Sequence, residues 1–189
     1  MATSCDITKG RLAKCKNSVG GLFKLFFLNW DTGDVIITDG VTEEITDIND
    51  GEGVPGAVTF YEWDIKGASS LTETPTVSVD NGTAFWEQVL TAVFKKLDAE
   101  TRKEIKLMTY GLMRVAVQDN NGNTLLIGEQ FGVDVSGGSI ATGTNMEDLS
   151  GYTLVQTGRE PEPAKFIQGS TLDDPFGGLT TPPTIVGGA

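Results

Sequence analysis

Short β-rich runs parted by glycine-bearing turns are the feature that most restricts how this chain can fold. Residues 22–30 (Leu-Phe-Lys-Leu-Phe-Phe-Leu-Asn-Trp) are apolar and aromatic but too short for a buried helix, so they read as a strand. Asp31-Thr32-Gly33-Asp34 is a turn, and residues 35–38 return from it, which predicts a hairpin. Asp39-Gly40 marks a further turn, and residues 41–48 are a candidate strand or a short polar connection. Residues 49–56 read as a loop, and residues 57–65 as a strong strand by their β-branched and aromatic content. Residues 71–79 alternate, with Thr72, Thr74, Thr76 and Ser78 on one face; Pro75 lacks an N–H to give and assigns this strand to a sheet edge or a bulge.

Residues 85–97 interrupt this pattern. Phe85, Val89, Ala92, Val93 and Leu97 recur at spacings of three and four, which predicts an amphipathic helix with Asn81 or Thr83 as its cap. Asp98 can cap a short further helical turn over residues 99–107. Strand character resumes at 108–117, and residues 119–123 (Asp-Asn-Asn-Gly-Asn) form a hairpin turn, because Asn and Gly tolerate positive φ. Residues 124–128 pair back, residues 131–136 and 151–158 supply the last strands, and a Gly- and Thr-rich loop fills 137–150. The expected fold class is mainly β (α+β). The expected organisation is an arm at 1–21, a body at 22–167, and a flexible Gly/Pro-rich tail at 168–189 that is disordered or ordered only on a neighbour.

Composition narrows the function. The 189 residues contain no histidine, which removes the Ser-His-Asp triad, the Cys-His pair and the imidazole base. Glu43-Glu44 and Asp173-Asp174 are adjacent carboxylates; neighbours in a strand face opposite ways and neighbours in a loop are usually solvated, so neither pair is built for acid–base hydrolysis. No Gly-Lys-Ser/Thr phosphate loop occurs. Residues 119–130 open like a calcium loop but carry Thr124 where the glycine belongs and Gln130 where the glutamate belongs, so a turn is the better reading. No enzyme activity and no cofactor is expected. Two cysteines without histidine do not make a structural zinc site; Cys5 and Cys15 are a candidate disulfide, the alternative in a cytoplasmic product being two free thiols.

The net charge of −12 disfavours sequence-specific nucleic-acid binding and anionic membranes, and no run of about 18 apolar residues suggests a membrane span. The start of the chain shows no secretion-signal pattern. Charge is uneven: Lys9, Arg11, Lys14, Lys16 and Lys24 face only Asp6 within residues 1–24, whereas acidic residues dominate after 133. A basic start and an acidic end suit head-to-tail contact between subunits; chance surface solvation is the plainer reading.

The order of elements also carries a likeness. A Thr-rich strand, the 85–97 segment, a strand, the 119–123 hairpin, Ile127-Gly128-Glu129-Gln130-Phe131-Gly132, a Gly-rich loop, Gly151-Tyr152-Thr153-Leu154 and Gly158-Arg159-Glu160-Pro161-Glu162-Pro163-Ala164 succeed one another. Over roughly residues 57–167 this resembles bacteriophage tail-tube proteins and related ring proteins of the tail or head-tail connector. The resemblance implies an antiparallel β-sandwich or small barrel flanked by one helix, a virion component assembled in the host cytoplasm, six copies closing a ring, and a sheet lining a channel through which DNA passes as non-specific cargo. Other tail, portal or connector proteins would be its partners. Candidate assembly contacts are then Asn49, Asp50, Gly51 and Glu52 in the loop, Thr74 and Thr76 on the edge strand, and Asp173 and Asp174 in the tail. Tube, ring and adaptor positions stay open. A carbohydrate- or receptor-binding β-sandwich using Trp30, Trp63 and Trp86 is the alternative, and a surface protein with paired cysteines a third reading.

Overall fold

A computed structural model describes residues 9–12, 15–51, 56–65 and 68–187. Its centre is β1 (Leu22–Asn29), in which Leu25, Phe26, Phe27 and Leu28 are all buried. Successive strand residues point to opposite faces, so a run like this demands cover on both sides. Its edges are taken by β4 (Thr59–Asp64) and β7 (Met113–Asp119), both antiparallel to it. This middle sheet continues through β8 (Thr124–Ile127) to the two-residue β11 (Lys165–Phe166) on one side, and on the other to β12 (Thr184–Gly187), which runs parallel to β4.

An outer sheet is formed by β5 (Ser70–Ser78), β6 (Thr83–Lys95), β10 (Gly151–Glu160) and β9 (Val133–Ala141), in that order and all antiparallel. The two sheets are joined in one hydrogen-bonded array where Met113 of β7 pairs with Val133 of β9. Between them lies one core: Leu25, Phe27, Val115 and Val117 of the middle sheet meet Leu90, Ala92, Phe94, Tyr152 and Leu154 of the outer one. The fold is thus a β-sandwich-like, mainly β arrangement with one helix, as the sequence leads one to expect.

A second core lies on the other face of the middle sheet. Phe26, Leu28, Phe60, Ala116 and Leu126 pack there against Ile45 and Ile48 of β3 (Ile45–Asn49) and against Ile167, Phe176 and Leu179. β2 (Val35–Thr38) pairs with β3, and this small sheet belongs to the same layer. The expected pairing of 22–30 with 35–38 is therefore corrected: β1 has no edge left, and β2 pairs with β3 instead.

The predicted 85–97 helix is also corrected, because that segment is β6. The same residues fit a period of two: Gln88, Leu90, Ala92 and Phe94 are buried, while Val89, Thr91 and Val93 between them are only half-buried. Its β-branched and aromatic content favours the pleated surface. The helix is α1 (Ala99–Met108), where a short helical turn was expected, and Asp98 caps it by accepting the Thr101 amide at 2.6 Å. The 119–123 turn forms as expected: Gly122 has φ 85°, and the Asp119 carboxylate accepts the Asn121 and Asn123 amides at 2.8 Å. β9 reaches Ala141, shortening the expected 137–150 loop.

The tail departs most from expectation. Through Gly187 it packs on its own subunit. The Phe176 ring stacks on Phe60 at 4.6 Å and meets Phe26 edge-on at 5.1 Å. The Thr181 amide donates to Asp47 at 2.8 Å, and the Thr180 amide to the Thr46 carbonyl at 3.0 Å. The fit is close: a Cβ on Gly178 would lie 1.9 Å from the Gln168 carbonyl oxygen. Polar and Pro/Gly-rich composition concealed two apolar anchors and a buried carboxylate that receives the segment.

Candidate assembly surfaces

The strand registers define what the outer sheet presents to its surroundings. Leu90, Ala92 and Phe94 of β6 point inward, so Val89, Thr91 and Val93 point out. Register carries Thr72 of β5 beside Val89, and Thr153, Val155 and Thr157 of β10 onto the same side. The outward face is therefore a field of threonine and valine across β5, β6 and β10. Charges sit toward its ends, among them Glu87 and Arg159, which pair at 3.3 Å. Thr74 and Thr76 lie exposed on this face, on β5, the last strand of the array. Beyond β5 no described strand pairs, and Pro75 sits in it as an edge strand allows.

The loop candidates are differently disposed. Asn49 is buried; its amide donates to Asp47 at 2.8 Å and its oxygen accepts from Gly51. Asp50 accepts the Gly56 amide at 2.8 Å, and Gly51 turns the chain with φ 65°. Glu52 lies outside the described residues. In the tail, Asp174 shapes a turn by accepting from Phe176 and bonding Thr171, while Asp173 is exposed. Cys15 is an exposed thiol; the pairing with Cys5 falls outside the described residues.

A buried polar centre escaped the sequence reading. Arg114 stands inside the apolar strand β7 and reaches Asp34 at 2.6 Å and the Asp31 and Glu129 carbonyls, with its guanidinium 4.1 Å from the Trp30 ring centre. Burial lowers the Arg114 pKa and, outweighing the attraction of Arg114, raises that of Asp34. Nearby, Glu160 accepts the Gln130 and Phe131 amides at 3.1 and 2.8 Å; burial still pushes its carboxyl above the usual range. These groups clamp the 129–131 loop and the β1–β2 connection to the sandwich. A lone arginine in the run Met113–Val117 was the available signal.

A cleft of about 1220 Å³ lies beside α1, bounded by Tyr61 and Trp63 of β4 and by Val186 of β12. Its rim is acidic, with Asp64, Asp98, Glu100 and Glu104 against Lys95. Hydrogen bonds from Thr101 hold the Asp98 carboxyl below the usual range. Trp63 meets Phe27 and Phe94 edge-on at 5.7 and 4.9 Å, and Trp86 is half-buried at the start of β6. Among the described residues no group of three or more His, Cys, Asp or Glu is arranged to hold a metal ion, and no helix is long and apolar enough to cross a membrane.

No protein-family model, curated protein or solved structure matches this chain.

Proposed function

We propose that the chain is a structural subunit of a bacteriophage virion, a tail-tube or tail/connector ring protein that assembles with copies of itself around a DNA-conducting channel. The observation that carries this reading is the unpaired margin of β5 beside an open Thr/Val face. An unpaired strand edge is a template for another strand, and soluble monomers normally blunt it with charge or cover it. Here the outward Thr72, Thr74 and Thr76 are neutral; the blunting features are Pro75 and the half-buried Glu73, which is turned inward and accepts from Gln88 and the Ala164 amide. Adding such edges across six subunits closes a ring with no free margin. The middle of the open face carries no lysine or arginine, and the net charge is −12, which suits a wall past which DNA slides without being held. Tail, portal or connector proteins would then be its neighbours in the particle.

The test is the mass of the purified chain by light scattering, with negative-stain images. Rings or tubes are the expected result, and T74K/T76K is expected to abolish them with little change in melting temperature, since both side chains are exposed. A monomer at high concentration that binds glycans would favour the carbohydrate- or receptor-binding alternative. That alternative leans on free aromatic faces, whereas Trp30 lies against Arg114 and Trp63 between Phe27 and Phe94.

A further inference from the structure

We infer that the cleft beside α1 receives the basic amino-terminal arm of a second copy of this chain; the inference rests on the building-block reading above. The cleft, at about 1220 Å³, exceeds the roughly 300–1,000 Å³ usual for small-molecule sites and suits a stretch of polypeptide. Its floor is apolar, with Trp63, Phe94 and Met108, and Leu107 and Leu112 are 54% and 41% exposed at its border. The acidic rim is only partly neutralised from within: Lys24 pairs with Asp64 at 3.8 Å, whereas Glu100 and Glu104 make no ion pair among the described residues. An acid-rimmed apolar trough calls for a cationic segment bearing some apolar surface.

The arm has that chemistry. Residues 1–18 carry Lys9, Arg11, Lys14 and Lys16 against Asp6. Lys9, Arg11 and Lys16 are exposed and make no ion pair among the described residues, and Leu12 between them is 90% exposed. Beyond residue 24 the chain is acidic overall, and its main basic cluster, Lys95, Lys96, Arg102, Lys103 and Lys106, lies on and beside α1 itself, so the arm is the basic segment that lies off the cleft's own border.

Geometry favours a neighbour's cleft over the arm's own. The arm is pinned where it leaves the body. The Val19 amide donates to the Asn121 side chain at 2.8 Å, Asn121 donates back to the Val19 carbonyl at 2.9 Å, and Asn120 donates to the Gly20 carbonyl at 2.9 Å. This anchor stands at the start of β1, where Leu22 pairs with Asp119. The cleft runs along β1 and β4, from Asn29 at one end to Asp64, opposite Lys24, at the other. None of the described arm residues lines it, and Lys9, Arg11, Leu12 and Lys16 are all exposed, so the arm leaves its own cleft open to a neighbour's. Subunits stacked end to end bring one arm to the next cleft, a head-to-tail contact that repeats.

The test uses full-length chains and the concentration at which they assemble, read by analytical ultracentrifugation. E100K/E104K reverses the rim, and K9E/R11E/K16E reverses the arm. Each is expected to raise the assembly midpoint about ten-fold, and added salt to weaken the wild type. Mixing the two variants, or combining them in one chain, is expected to restore the wild-type midpoint, because every arm again meets a cleft of opposite sign. The arm variant alters no residue of either core, so it remains informative even if the rim variant folds poorly. Assembly indifferent to both reversals, or no rescue on mixing, overturns the inference and leaves the building-block reading standing. A wild-type chain that stays monomeric overturns both. Binding of a labelled peptide of residues 1–18 by a monomer that does not assemble assigns the arm to its own cleft and equally overturns the second-copy contact.

Discussion

Replacing Phe176 by alanine tests whether the carboxyl-terminal segment is part of the folded body. The side chain is 4% exposed and lies between Phe60 and Phe26 in the second core. Truncating a buried Phe costs about 3–5 kcal/mol, a figure that includes about 0.5–1.5 kcal/mol for each aromatic contact. In a chain of this size 1 kcal/mol moves the melting temperature by about 2–4 °C, so F176A should melt about 10 °C below the wild type. Loss of this plug also loosens the rest of the tail, since the Thr181–Asp47 bonds and β12 lie just beyond it. Limited proteolysis should then cut within residues 168–187 of the variant and spare them in the wild type. Calorimetry and urea unfolding measure the first effect, mass spectrometry of the fragments the second. A melting temperature within about 2 °C of wild type, together with a fully stable chain ending at residue 167, would refute the reasoning.

Other parts of the structure give three further expected outcomes. D34N leaves the Arg114 charge buried without its counter-ion and should cost about 3–5 kcal/mol in urea unfolding, while the R114M/D34L pair should cost less than the single change. Asp47 gives a pH signature: burial would raise its pKa, but hydrogen bonds from Asn49 and Thr181 outweigh this and lower it. Such a group contributes stability above its unfolded pKa, near 4, and loses it as pH falls through the folded value, so D47N should weaken the protein at pH 7 and match wild type more closely near pH 3. Asp34 and Glu160, raised by burial, act in the opposite sense: their stabilisation is full below the unfolded value and declines as pH rises through the folded one. N121A removes both bonds to Val19 and should expose residues 15–21 to protease, with a small effect on melting.

Elements that declare themselves locally were legible in the sequence. The 119–123 turn was readable because Asp119 bonds within its own loop, and α1 because Asp98 caps it across three residues. The edge position of β5 could be read from Pro75 alone. The expectations that failed needed long-range information. Val89, Ala92 and Val93 satisfy a helical spacing, but the second sheet across Leu90 and Phe94 decides between the two periods. Likewise, nothing near Phe176 reveals that Phe26 and Phe60 stand ready to receive it. Among the candidate contacts, Thr74 and Thr76 lie in the open, whereas Asn49 is spent inside the subunit and the cleft beside α1 draws on strands far apart in the chain.

The late docking of β12 and Phe176 has a consequence for biosynthesis. Chains fold as they emerge, amino-terminal parts first, at about 5–20 residues per second. Until residues 168–187 leave the ribosome, Phe26, Phe60 and Leu126 have Ile45 and Ile48 beside them but lack the cover of Phe176 and Leu179. The nascent body is thus greasy on the flank that residues 168–187 will seal, and translation of that stretch sets the earliest moment at which the flank stops being sticky.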